Sequence, residues 1–300
     1  MPTRNKNTRP DKWGIVQEKE FNCRILTSPY NKRITVYDFE LEGNEGAGKM
    51  VRVLTEKALK RGLDKIWLKS KVKWVHAFTS AGMQLEAKIP GYFMGKEQAL
   101  IFAKYLSVKR QTASNKNGRR QVIKLLLNSA AEPKKRMPAT GITLKQGQAQ
   151  HCKDLARLYD RVFITYPFPV FDPGYLKNTM EHGVYYMTAW TEEEGLVAAA
   201  SAEINFKEKN AEVTDFATLP EWRGRGLASC LLKQLETRLR SGGIRCFYTI
   251  ARSSSAGMNK VFAGLGYGFR GILNNNCNIG GDFEDMNVWS KNLYRGQFLM

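Results

Sequence analysis

The sequence predicts an α/β protein made of two units. Three observations carry that expectation. Short β-branched or aromatic segments alternate along the chain with segments whose apolar residues recur at helical spacing. A polar, strongly basic bridge, 108–140, separates a smaller unit, 21–107, from a larger one, 141–300, and 1–20 reads as a basic flexible tail. Both units also close alike, with a short helix, a glycine stop and a final strand. Phe78, Gly82 and Leu106 stand in places comparable to Phe262, Gly266 and Leu293. The first unit is therefore read as a degenerate copy of part of the second.

In order, Ile34 to Tyr37 is a strand, and Met50 to Lys60 a helix stopped by Arg61-Gly62. Ile66 to Leu68 is the next strand. The stretch WVHAFTSAGMQLEAKIPGYF gives a short helix, a glycine stop and a strand that turns at Pro90-Gly91 and returns over Ala99 to Leu106. In the bridge, Val122, Leu125 and Leu126 share one face of a short helix. The second unit opens with the strand ITLKQ and the helix AQHCKDLARLYDRVF. A lid-like loop, YPFPVFDPGYLKNTM, then places Asp172 as the cap of a helix with Pro173 at its first position. Val184 to Ala189 and Leu196 to Asn205 form a hairpin, AEVTDFATL a further strand, and Ala228, Leu231, Leu232, Leu235 and Leu239 the apolar stripe of a helix. The strand Arg245 to Ile250, a helix near Asn259 and the hairpin FRGILNNNCNIGGDFEDMNVWSKNL complete the unit.

Composition narrows the function classes. Five cysteines without a C-x-x-C pair point to reduced thiols, and three scattered histidines make a metal site unexpected. The N-terminus is polar and basic with no apolar run, so neither a signal peptide nor a membrane anchor is indicated and a cytoplasmic setting is expected. The 47 basic against 28 acidic residues, a formal charge of +19, invite a nucleic-acid reading. Much of that excess sits in the tail and bridge, and no aromatic RNA-binding run or Gly-x-x-Gly clamp accompanies it. Nucleic-acid contact, on an RNA- or ribosome-associated scaffold, stays as the minor alternative.

The informative stretch is LPEWRGRGLASCLLKQLE, which joins a strand to a helix N-terminus. Unpaired backbone N–H groups and the helix dipole favour an anion there. Gly224 and Gly226 let a pyrophosphate approach the main chain, and Arg223 and Arg225 add positive charge. The spacing Arg223-Gly224-Arg225-Gly226-Leu227-Ala228 resembles the Arg/Gln-x-x-Gly-x-Gly/Ala signature of the GNAT acetyltransferases. It lacks the Gly-Lys-Ser/Thr of a Walker loop and the three glycines of a dinucleotide fingerprint.

The resemblance implies a GNAT fold, a mixed and mostly antiparallel sheet with flanking helices, and acetyl-CoA as cosubstrate. It implies that the strand before the loop splays from its neighbour, so that Phe216, Ala217 and Thr218 meet the pantetheine arm. Arg223 to Ala228 would then hold the pyrophosphate, with Asn259 as a further cofactor contact. A lysine-like amine, with a pKa of about 10.4, must lose a proton before it attacks. Glu212 and Asp215 are the acids on the splayed strand, expected on opposite faces from their odd separation. Where many family members carry a tyrosine that protonates the leaving thiolate, this chain has Phe262; Tyr267, an ordered water and departure of the thiolate unprotonated are the alternatives, and the role is unassigned.

Over both units the chain resembles the β-lysine N-acetyltransferase subfamily. The stretches that carry this are AEVTDFATLPEWRGRGLASCLL, SSSAGMNKVFAGLGY, NNNCNIGGDFEDMNVW and IPGYFMGKEQALIFAKYL. The resemblance implies acetylation of the ε-amine of β-lysine to a zwitterionic compatible solute. Lysine, a polyamine or an aminoacyl group remain alternative acceptors. Glu284 and Asp285, with Asn274 to Asn276, are candidate acceptors for ammonium groups.

Overall fold

The computed structural model describes residues 11–112 and 141–293; the helix expected within the bridge falls outside them. The strands are β1 (Lys12–Glu18), β2 (Phe21–Ser28), β3 (Arg33–Leu41), β4 (Lys65–Lys71), β5 (Gln84–Phe93), β6 (Glu97–Tyr105), β7 (Thr143–Gln146), β8 (Val184–Thr191), β9 (Gly195–Asn205), β10 (Asn210–Thr218), β11 (Cys246–Arg252), β12 (Gly268–Ile279) and β13 (Asp282–Asn292). The helices are α1 (Gly43–Leu59), α2 (Val75–Ser80), α3 (Val108–Gln111), α4 (Cys152–Val162), α5 (Pro173–Glu181), α6 (Leu227–Ser241) and α7 (Ala256–Gly264). All thirteen strands lie in one sheet, in the order β1-β2-β3-β4-β6-β5-β12-β13-β11-β10-β9-β8-β7.

Each unit has one parallel pair, β3 with β4 and β10 with β11, and each pair is crossed by one long helix, α1 or α6. All other pairings are antiparallel. The two halves repeat one another down to single hydrogen bonds. The Met83 amide donates to Phe78 O as that of Tyr267 does to Phe262 O; Leu106 donates to Asp64 O as Leu293 does to Arg245 O. Glu42 donates to Glu20 O where Leu219 donates to Val197 O. They part at the next step. The second unit inserts the Pro220 to Gly226 turn and loop before its helix, whereas α1 follows at once from Gly43, so the first unit has no phosphate loop.

Two helical layers cover the outer faces. Met50, Leu54 and Phe78 belong to one core, and Leu155, Leu231, Leu235 and Phe262 to another. A third core draws on both units, with Trp67, Ile89 and Ile101 against Tyr248, Leu273 and Val288. The sheet thus folds so that the helix-free faces of its halves meet. They are stitched by Lys65 and Glu86, paired at 3.0 Å and almost wholly buried. Lys65 Nζ also donates to Asn274 O at 2.8 Å, and the Asn274 amide donates to Glu86 at 2.7 Å.

Four expectations are corrected. Residues 12–18 of the supposed tail form β1, held to β2 by backbone pairing, with Arg24 and Tyr37 against the Trp13 ring. The bridge begins docked: α3 buries Arg110, which pairs with Asp64 at 3.0 Å and donates to Asn31 O. β5 runs through Pro90-Gly91 and turns instead beyond Phe93, because the register shift between Ile89 and Phe93 absorbs the proline. Helix α1 starts seven residues earlier than Met50, since buried Gly46 and Ala47 extend its packed face onto β2 and β3. A Cβ at Gly46 would collide with Glu20 O.

Candidate active site

β10 and β11 pair only over Asn210, Ala211 and Glu212 with Cys246, Phe247 and Tyr248. Beyond that they diverge, which leaves the β11-facing edge of Val213 to Thr218 without a ladder partner on that side. This is the expected splay. It opens into a cleft of about 1340 Å³ whose walls include Phe216, Thr218, Arg223, Gly224, Gly226, Leu227 and Ala228.

The loop geometry suits a phosphate. Gly224 and Gly226 sit at φ of +77° and +82°, a conformation open to glycine. Gly226 is the N-cap of α6 and brings no side chain to the first turn, so the amides of that turn face outward uncapped. Arg223 is steadied by a 3.3 Å bond from Nε to Thr218 O. These groups fit the pyrophosphate of CoA, and the splayed edge of β10 fits its amide-bearing arm. Three expected contacts are not on the cleft wall. Ala217 is buried beneath it; Arg225 stacks on Trp222 at 4.3 Å. Asn259 is 1 % exposed and spends its amide inside the protein, donating to Arg252 O and Ser255 O and accepting from Asn287 and Trp289. It holds the β11–α7 connection and does not line the cleft.

Glu212 and Asp215 both line the cleft, against the expectation of opposite faces. The reason is a bulge: the β9–β10 register shifts between Thr214 and Ala217, and Asp215 adopts φ of +51°. Asp215 is also committed. Ser201 Oγ donates to Oδ2 at 2.6 Å and the Tyr166 hydroxyl donates to Oδ1. Burial raises its pKa while these donors oppose the rise.

Glu203 is a further acid of the cleft, unmarked by its own segment of sequence. Its Cα is the register partner of Glu212, which is in turn the partner of Tyr248, so the three side chains stand in a row across β9, β10 and β11. Glu203 is an exposed residue of the cleft wall, with protein packed around its carboxyl. That enclosure, then Glu212 and Asp215, push its pKa up to about 8, with Lys69 opposing. No local signal marks it; only the strand pairing sets two glutamates side by side.

Lys69 comes from the first unit. Its ammonium donates to the Tyr248 hydroxyl at 2.8 Å and lies 3.9 Å from Glu212 Oε2. Burial pulls its pKa down, but Tyr92, Glu212, Tyr37 and Glu203 outweigh this and leave it raised. Tyr248 is held protonated, by burial first and then by Glu212.

Glu284 and Asp285 do not fit the substrate role. Glu284 is bidentate to Arg252, with bonds of 3.0 and 2.6 Å, and accepts from Ser254. Asp285 is fully buried with its carboxylate on the Asn275 amide. Neither lines the cleft. Tyr267 is also off the wall, buried against Phe262, and so does not replace the missing tyrosine hydroxyl.

With this geometry in place, comparison with known proteins decides the family. Residues 152–267 match the Acetyltransferase (GNAT) family. The chain is 35% identical over 268 residues to N-acetyltransferase YodP of Bacillus subtilis, covering 88% of this chain and 94% of that protein. It is 32% identical over 279 residues to Beta-lysine N(6)-acetyltransferase of Methanococcus maripaludis, covering 93% and 96%. The chain belongs to the GNAT acetyltransferase family. It is an acetyl-CoA-dependent N-acetyltransferase. Among solved structures, the ribosomal-protein-S18-alanine N-acetyltransferase of Escherichia coli aligns with 53% of this chain and 99% of its own, at 17% identity and a TM-score of 0.46. A Sinorhizobium meliloti phosphinothricin acetyltransferase in complex with AcCoA aligns with 53% and 91%, at 18% identity and a TM-score of 0.46. Among the described residues no helix is long and apolar enough to cross a membrane.

Proposed function

We propose that this GNAT enzyme transfers the acetyl group of acetyl-CoA to the ε-amine of β-lysine, giving Nε-acetyl-β-lysine as an osmolyte of the cytoplasm. The observation that carries this is the similarity to two proteins named Beta-lysine N(6)-acetyltransferase, over 93% and 71% of this chain, which spans both units and not the cofactor loop alone. The acidic row of the cleft supports it, because a diamine needs carboxylates to receive its ammonium groups.

In this reading Phe216, Ala217 and Thr218 hold the pantetheine arm, Ala217 through its backbone. The loop from Arg223 to Ala228 holds the pyrophosphate. The Glu203–Glu212 pair receives the ε-ammonium and takes one proton. The freed nitrogen lone pair attacks the thioester carbonyl carbon; the C–N bond forms, the C–S bond breaks, and the second nitrogen proton passes to the departing thiolate, leaving the neutral amide and free CoA. Asp215 is a positioning residue, since its oxygens are already engaged by Ser201 and Tyr166. Residues 141–300 carry the cofactor contacts, and 21–107 is a repeat of the same fold without a phosphate loop. A panel of β-lysine, α-lysine, spermidine and an aminoacylated acceptor, scored by kcat/KM, tests the acceptor. Preference for β-lysine is expected, and a preference for spermidine would refute it.

A further inference from the structure

The first unit does more than complete the sheet, because β3 and β4 bring two cations into the cleft. Arg33 is 8 % exposed, lines the cleft, and has its Nη1 anchored on Asn276 O at 2.6 Å. Its Nε is buried without a hydrogen-bond partner, and it forms no ion pair among the described residues. Asp11 lies near enough to offset part of its charge, with one bond to Ser28 and its Oδ1 without a hydrogen bond, but it makes no ion pair or hydrogen bond to Arg33. Lys69 uses one of its three donors on Tyr248, while Glu212 at 3.9 Å is too far for a hydrogen bond. The Trp67 ring lies between the two cations, 5.6 Å from the guanidinium of Arg33 and 5.7 Å from the ammonium of Lys69.

A buried guanidinium with an idle N–H calls for an anion. The second unit faces it with the Glu203–Glu212 row. At this end of the cleft, away from the Arg223 loop, the charges are therefore opposed, with Arg33 and Lys69 on the first unit and Glu203 and Glu212 on the second. A polyamine would place ammonium groups against both walls, whereas a zwitterion matches both. We propose that Arg33 and Lys69 bind the carboxylate of an amino-acid acceptor, so that the first unit selects amino acids over plain amines. This deepens the acceptor assignment made above and rests on its acetyl-transfer chemistry, not on β-lysine itself.

The test compares three probes with full-length enzyme: β-lysine, its carboxamide, and 1,4-diaminopentane, which keeps both amines and lacks the carboxylate. The parent is expected to favour the acid over the amide in kcat/KM. That acid-to-amide ratio falls roughly ten- to hundredfold in Arg33→Met and in Lys69→Met, the range for losing a charge-assisted hydrogen bond. Arg33→Lys restores part of it. CoA affinity by calorimetric titration reports the fold of each variant, and Lys69→Met carries the test should Arg33→Met not fold. A parent that acetylates the amide or the diamine as well as the acid overturns the proposal, as does an unchanged ratio in Lys69→Met. If the parent ignores β-lysine but prefers α-lysine to α-lysinamide, the β-lysine assignment falls and the carboxylate site stands.

Discussion

Replacing Gly224 by valine isolates what the phosphate loop contributes. At φ of +77° an L residue is strained by about 1–2 kcal/mol, and a β-branched one by at least that. A Cβ built at Gly224 meets no atom within 4 Å, so the substitution adds strain without a clash. The loop is exposed and relieves that strain in the free enzyme by relaxing out of the left-handed conformation. Binding CoA then restores the conformation and its cost. At 1.4 kcal/mol per tenfold, the Kd for CoA rises about 5- to 30-fold. Calorimetric titration measures it, and Gly183→Val is the control, since that glycine is also left-handed with open space around it but lies outside the cleft wall. The control should lose thermal stability and keep its CoA affinity. A folded Gly224→Val enzyme with the parental Kd would refute the loop assignment.

Further outcomes follow from the site and the join between units. A carboxyl raised to about 8 is protonated below that pH and accepts a proton above it, so kcat should climb through about pH 8. Glu203→Gln should remove that limb and lower kcat by roughly 10²-fold or more; a parental pH–rate profile would exclude Glu203 as proton acceptor. Lys65→Met leaves Glu86 buried without its cation and should cost about 3–5 kcal/mol, whereas Lys65→Met with Glu86→Leu should recover only part of the loss in a thermal melt, because the Asn274 amide and Tyr105 hydroxyl then lose their acceptor. Equal melting of parent and single variant would contradict the pairing. Gly271 is the one β12 residue in register with β5, opposite Ala87, and a Cβ there would collide with Glu86 O. Gly271→Ala should therefore part the units, raising the KM for the amine more than the Kd for CoA; an equal rise in both would place the joint outside acceptor binding.

What could be read in the sequence was local, and what could not was set by pairing. The loop and α6 were legible because glycine and arginine spacing and a helical apolar stripe are properties of one segment. The Asp172 cap was legible for the same reason, and its side chain does accept from the Gly174 amide at 2.9 Å. β1 gave no signal because Trp13 and Ile15 remain 55 % and 71 % exposed, so its backbone bonds, not a buried face, hold it. The bulge at Asp215 reverses a parity argument that holds only for an unbroken strand. The acceptor side lay furthest from view. Arg33 and Lys69 stand more than 130 residues from Glu203 in sequence, and nothing in their own segments distinguishes them from the chain's many other cations. They acquire meaning from the sheet. The first unit has no phosphate loop before its crossover helix, yet β3 and β4 form its parallel pair as β10 and β11 form that of the second. Folding the helix-free faces together sets the β3–β4 face of one unit opposite the splay of β10 and β11 in the other, across a single cleft, which is where the proposed acceptor would meet the acetyl group.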